Sequence, residues 1–209
     1  MHIALLGDSV FDNGAYTNGE PDVATHLRGL VGEGIRVTLL ARDGAMTTDM
    51  RGQVDRIAGT VTNLVLSVGG NDALANAGLL AMPIDSTGTT LDLFAALMSE
   101  FETSYRHVLE ALEGKGRRLT VCTIYNGNLE RGEATRAKLA LRMFNDVIVT
   151  AATSVGADVI DLRAVCTASK HFANPIEPSG LGGLRIAEAI AHVQQWEPSA
   201  VTRLYQRRD

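Results

Sequence analysis

The sequence predicts an α/β protein, a three-layer α/β/α arrangement around a flavodoxin-like parallel sheet of about five strands in the order 2-1-3-4-5. Two observations carry this. Short, wholly apolar runs such as Ile3-Ala4-Leu5-Leu6 and Leu64-Val65-Leu66 alternate with helically spaced segments from end to end, the pattern of a parallel sheet covered on both faces. Each run also stops abruptly at a polar or glycine-rich turn, and right-handed crossovers then leave few topologies. With 209 residues, no internal repeat and no low-complexity linker, the expectation is a single domain over residues 1–209, with a peripheral tail from about 197.

The first strand runs from His2 into Gly7-Asp8-Ser9. Residues 21–31 have helical apolar spacing and stop near Gly32 and Gly34. Arg36 to Ala41 forms the second strand and exits through Arg42-Asp43-Gly44-Ala45, before a helix from about Thr47 to Ile57. Asn63 to Val68 forms the third strand and ends on Gly69-Gly70-Asn71-Asp72. Residues 79–90 read as a loop, and a long helix follows from Leu91 to Leu112, closed by Gly114. Arg118 to Ile124 is the fourth strand, leaving through Tyr125-Asn126-Gly127-Asn128. A helix over 133–154 stops at Gly156, Asp158 to Leu162 is the fifth strand, and a polar segment from Thr167 to Ser179 precedes a last helix from Gly180 to Trp196.

A formal charge of -5 argues against a general nucleic-acid surface, which needs a basic stripe. The cluster Arg203, Arg207 and Arg208 is the local exception, and a frayed, solvated tail accounts for it. Cys122 and Cys166 offer neither a disulfide framework nor metal-ligand spacing. No secretory leader pattern opens the sequence, and no apolar run approaches the roughly 18 residues of a membrane span. A cytoplasmic protein of open oligomeric state is expected.

Open α/β sheets bind ligands at the carboxyl ends of their strands, so the strand exits are the place to look for chemistry. Gly7-Asp8-Ser9 taken alone suits a turn and helix cap as well as a nucleophile. Gly44 alone suits a turn, and Asn71 a cap. Their ordered succession with Gly69-Gly70-Asn71-Asp72 resembles the SGNH hydrolases, also called the GDSL esterase/lipase family, over most of the chain. The resemblance implies Ser9 as nucleophile and an oxyanion hole made from the Ser9 N–H, the Gly44 N–H and the Asn71 side chain. These residue types fit acyl transfer. Glycine lets a backbone N–H approach the substrate oxygen, and a neutral amide donor stabilises charge that develops only in the transition state, each donor being worth about 100- to 1000-fold in rate.

The family's last block, Asp-x-x-His before the final helix, supplies the base. Here the matching stretch reads Asn174-Pro175-Ile176-Glu177-Pro178-Ser179, with Asn174 at the aspartate position and Glu177 at the histidine position. Net charge is conserved by the double exchange, since an aspartate with a neutral histidine and an asparagine with a glutamate each carry one negative charge. Of the five histidines, His2 begins the first strand, and His26, His107 and His192 fall in helices. His171 alone sits in the loop feeding the active edge and stays a candidate base beside Glu177. Burial could raise the Glu177 pKa toward the range of a working base, but the final helix begins just after it, with Ser179 as cap, and a helix N-terminus holds a carboxylate pKa down. Glu177 is therefore expected to be ionised, and a weak base unless the pocket is dry.

Asp8, Asp12, Asp43, Asp49 and Asp72 raise the question of a metal ion, but they lack recognisable ligand spacing and read as turn and cap residues. No phosphate-binding glycine pattern is present, so neither metal nor nucleotide cofactor is expected. The sequence therefore points to a serine hydrolase acting on an ester or related acyl bond of a small molecule, with Asp8 and Asn174 shaping the site. A ligand-binding, non-hydrolytic protein of the same fold is the alternative, and a flavodoxin-like nucleotide binder a third.

Overall fold

In the computed structural model, which describes residues 1–113, 116–197, 199 and 201–207, strands and helices alternate. They are β1 (His2–Gly7), α1 (Val23–Leu30), β2 (Arg36–Leu39), α2 (Met50–Val54), β3 (Asn63–Ser67), α3 (Gly70–Ala75), α4 (Thr87–Glu113), β4 (Arg118–Cys122), α5 (Arg131–Ser154), β5 (Asp158–Ile160), α6 (Leu162–Val165), α7 (Gly180–Gln194) and β6 (Leu204–Tyr205). Gly114, the expected stop of α4, and Arg208 lie outside the described residues. The sheet is parallel throughout, with the order β2-β1-β3-β4-β5-β6.

The apolar runs are continuous because both faces of the sheet are covered. Ile3, Leu5, Val65, Cys122 and Ile160 pack on one face against Val23 and Leu27 of α1 and Ile186, Ile190 and Val193 of α7. Their neighbours Ala4, Leu6, Leu64, Leu66, Val121 and Val159 turn to the other face, against Tyr105, Leu109 and Leu112 of α4 and Phe144 and Ile148 of α5. This strict alternation fixes register, since a slip by one residue would exchange the two faces.

Three expectations are corrected. The sheet has a sixth strand, because the tail is tied down rather than frayed. Leu204 and Tyr205 pair with Val159 and Ile160, Arg203 bonds the buried Asp158 at 3.1 Å and stacks over Trp196, and Arg207 pairs with Glu188. Helix α4 starts earlier than expected, since the Ser86 hydroxyl accepts the Thr89 N–H and caps it; residues 70–81 upstream form α3 and a short 3-10 helix. The segment after β2 is a 3-10 turn over Thr47–Asp49 leading into the short α2, with the Met46 N–H donated to Asp49.

The exit of β1 is closely constrained. Gly7 adopts φ +127°, a region disfavoured for residues with a Cβ, and a Cβ there would collide with the Ser67 carbonyl oxygen. The Gln53 side chain brackets the same residue, accepting the Gly7 N–H and donating to the Gly7 carbonyl, each at 2.8 Å. Gly7→Ala is therefore expected to lower stability by about 3 kcal/mol or more, at the severe end for a point substitution, in a urea unfolding titration. A loss under about 1 kcal/mol would mean that the turn relaxes freely.

Candidate active site

Because β1 lies between β2 and β3 in the sheet, the three exits that carry Gly44, Ser9 and Asn71 are adjacent, with neighbouring strands about 4.8 Å apart. Side-chain ties hold the loops together. The Asn71 amide donates to the Ala45 carbonyl at 3.0 Å, and Asp72 accepts from the Thr47 hydroxyl at 2.6 Å and from the Thr47 N–H. Gly44 adopts φ +78° with open space where a Cβ would stand. The Ser9 turn is built by Asp8, whose Oδ1 accepts the Val10 N–H at 3.0 Å and whose carbonyl accepts from Phe11 and Asp12.

Glu177 reaches the same place from the far end of the chain. It sits in a short antiparallel excursion in which Phe172 bridges Pro178 and the Ala173 N–H donates to the Glu177 carbonyl. Asn174 Oδ1 accepts the N–H groups of both Ile176 and Glu177 at 2.9 Å, so the residue in the aspartate position closes the turn that presents Glu177. Tyr125 donates its hydroxyl to the Ile176 carbonyl, and Asn13 donates to the Pro178 carbonyl while accepting the Val23 N–H. The predicted cap Ser179 accepts the Gly182 N–H.

Ser9, Asn71, Asp8 and Glu177 line one cavity of about 380 Å³, whose remaining wall is largely apolar. Glu177 is only 7% exposed. Burial pushes its pKa up and outweighs the lowering influence of the Ser9 hydroxyl, and Asp43 adds repulsion, so the net direction is upward. Of the two opposing effects expected, the helix start holding the Glu177 pKa down and burial raising it, burial is the larger, because it penalises the charged form. Its Oε2 is buried without a hydrogen-bond partner among the described residues.

His171 lies in the 3-10 turn Ser169–His171, where its Nδ1 accepts the N–H groups of Thr167 and Ala168 at 3.2 and 3.3 Å. It is buried and is not among the residues that line the cavity with Ser9 and Glu177. Of the other histidines, His2 bonds Thr60 and Thr38, His26 the Gly180 carbonyl, His192 packs on Trp196 and Tyr205, and His107 is exposed on α4. Most of the acidic residues at this edge serve protein donors, Asp12 accepting the Asp43 N–H and Asp43 the Tyr16 hydroxyl. Among the described residues no cluster with metal-ligand character occurs, and no helix is long and apolar enough to cross a membrane.

Sequence reasoning missed Gln53, Asn13 and Tyr125 as the supports of this site. Their partners are backbone groups far away in the chain, and no local motif marks such pairs.

Asp8 is 2% exposed, and burial, reinforced by Glu177 and Asp72, pushes its pKa up to about 7 against the pull of the Val10 N–H. A carboxyl whose folded value is raised binds its proton more tightly in the native state. Its contribution to stability is therefore complete below the ordinary value of 3.8 and is lost as pH rises through about 7. Asp8→Asn keeps the acceptor for Val10 and removes the ionisation. It is expected to flatten the fall of Tm between about pH 4 and 8, relative to wild type, in parallel thermal melts; an identical pH profile for the two proteins would show that Asp8 ionises without cost.

The model of the GDSL-like lipase/acylhydrolase family matches residues 5–182, a span that includes all the strand exits above and Glu177. No curated protein matches the chain. Similar solved structures include an extracellular lipase from Streptomyces rimosus, with 16% identity, TM-score 0.67, and coverage of 91% of this chain and 99% of that one. A phospholipase A1 from Streptomyces albidoflavus has 18% identity, TM-score 0.68, and coverage of 93% and 99%. An acetylxylan esterase from Geobacillus stearothermophilus has 16% identity, TM-score 0.66, and coverage of 94% of both chains. At these identities the likeness is one of fold.

Proposed function

Since the chain belongs to the GDSL-like lipase/acylhydrolase family, we propose that it hydrolyses an ester of a small molecule through an acyl-enzyme on Ser9, with Glu177 as the general base. The observation that carries this reading is that Ser9, Asn71 and the buried Glu177 line one cavity.

In this mechanism the Ser9 oxygen attacks the ester carbonyl as its proton passes to Glu177. The negative charge that develops on the carbonyl oxygen is met by the N–H groups of Ser9 and Gly44 and the second N–H of the Asn71 amide, the first being given to Ala45. Collapse of the tetrahedral intermediate breaks the bond to the alcohol oxygen, which takes the proton back from Glu177. A water molecule then repeats the sequence on the acyl-enzyme and releases the acid.

Burial makes Glu177 a stronger base than a solvated glutamate, which supports this role. The buried Oε2 has no hydrogen-bond partner among the described residues, so nothing on that oxygen offsets the desolvation that raises the basicity of the carboxylate. Asn174, by closing the turn, is proposed as the positioning residue for Glu177. His171, whose Nδ1 is spent on two backbone donors, is proposed as a support of the same loop rather than as the base.

Ser9→Ala is expected to lower kcat on p-nitrophenyl acetate by about 1000-fold or more and to abolish labelling by a fluorophosphonate probe. Wild-type activity in that variant would remove Ser9 from the mechanism, and an unlabelled wild type would favour the ligand-binding alternative. Glu177→Gln is expected to lower kcat by about 100-fold or more. Only ionised Glu177 accepts a proton, so wild-type activity should rise with pH through a value above the ordinary glutamate range, and this limb should vanish in Glu177→Gln but persist in His171→Gln. If instead His171→Gln erases the limb, the base is His171.

A further inference from the structure

The chemistry above uses one end of the cavity and gives no role to the charge at the other. Helices α4 and α5 span 27 and 24 residues, about 40 and 36 Å, whereas the strands they cover hold no more than six residues each. Both helices have their N-terminal ends at the carboxyl edge of the sheet, and in α4 burial begins only at Phe101, so they overshoot that edge. The overshoot walls the cavity. Phe94, Arg136 and Ala140 line it there, together with Leu80 of the 3-10 helix over Ala77–Ala81.

Arg136 is the one basic residue of that lining among the described residues. Its Nη1 donates to the Leu80 carbonyl at 2.9 Å, which ties the head group to a second lining residue. The acceptor is neutral, so the charge is left intact. Among the described residues no carboxylate pairs with the guanidinium. The Nε–H and Nη2–H donors, the edge that matches a carboxylate with two parallel bonds, are unused there as well. Arg136 is exposed to solvent, which spares its charge a desolvation cost.

The acidic lining residues, Asp8 and Glu177, stand at the opposite pole, at the β1 exit and the turn before α7. Phe144, which packs edge-on against Phe101 beside Gly69 at the β3 exit, is separated from Arg136 by about 12 Å of helix. Glu177 must be ionised to act as the base, so it repels an anion while Arg136 attracts one. Both forces turn a negatively charged ester the same way, its charge toward α5 and its ester bond toward Ser9. We propose that Arg136 is a specificity residue of this site, and that the substrates are anionic esters whose carboxylate, remote from the ester bond, is received by the free guanidinium edge. The inference rests on the esterase reading for its chemistry, but recognition of the charge can be measured without turnover.

Two pairs of esters test this, each pair alike in shape and different in charge. With the charge on the acid side, they are the mono-p-nitrophenyl ester of suberate and its primary-amide counterpart. With the charge on the alcohol side, they are the acetate esters of ω-hydroxyhexanoate and of its primary amide. In at least one pair the carboxylate is expected to exceed the amide in kcat/KM by about 10-fold or more, and Arg136→Gln is expected to reduce that ratio by about 10-fold. Arg136→Lys should retain part of the ratio, since it keeps the charge and loses only the fork. Calorimetric titration of the Ser9→Ala protein with both pairs, methyl replacing p-nitrophenyl, gives the reading without turnover: the carboxylate is expected to bind more tightly, and the difference to vanish when Arg136→Gln is added. Ser9-dependent hydrolysis with no preference for the carboxylate in either pair, or a preference that Arg136→Gln leaves in place, would overturn the assignment while leaving the esterase. An equal fall of both members of each pair in Arg136→Gln would reduce the residue to its tie to Leu80 and overturn the assignment too. Absence of any Ser9-dependent hydrolysis would remove the esterase, and the titrations would then decide the role of Arg136 by themselves, equal binding of carboxylate and amide overturning it.

Discussion

The parallel pairing of β1 with β2 on one side and β3 on the other is the constraint from which the site follows. It sets three strand ends side by side, and each end carries a different polar residue on a turn that must begin at once. Gly7 makes the sharpest of these turns possible, because its backbone passes against the Ser67 carbonyl where no Cβ fits. Gln53 then occupies both hydrogen-bonding groups of Gly7, so the strand end cannot fray. With the scaffold fixed at that point, Ser9 needs little adjustment of its own.

The carboxyl that shares the cavity with Ser9 depends on a different device. Glu177 is held by contacts to its neighbours on both sides rather than by its own side chain: Asn174 closes the turn from within, Tyr125 and Asn13 fix the flanking carbonyls, and the bridge between Phe172 and Pro178 sets the strand direction. This leaves the carboxylate largely unpaired and dry, and desolvation dominates its protonation. The same economy applies to Asp8, which lies behind the turn with a raised pKa. Burial is the main cause of that rise, and Glu177 reinforces it, which couples the electrostatics of the turn to those of the carboxylate across the cavity.

Much of this was legible before any coordinates. The apolar runs and their abrupt ends gave the sheet, and the ordered set Ser9, Gly44 and Asn71 gave the edge at which to look. The tail was misjudged because Arg203 and Arg207 look like solvated charges until their partners, Asp158 and Glu188, are seen beside them. Glu177, aligned with the base position, lines the cavity with Ser9; the helix start, which is visible locally, was expected to hold its pKa down, and burial, which depends on every element packed around it, raises it instead.

The sequence by itself determined the layering, the strand order near the centre and the identity of the polar residues at the strand exits. These depend on periodicity and on turn chemistry, which act over a few residues. Tertiary structure alone decided that Glu177 shares a cavity with Ser9, that its carboxylate is desolvated, and that α4 and α5, in contact through Phe101 and Phe144, leave that cavity open beside them. Such properties arise from distances between segments far apart in the chain, and a void is defined by what its surroundings fail to fill, which no local pattern encodes.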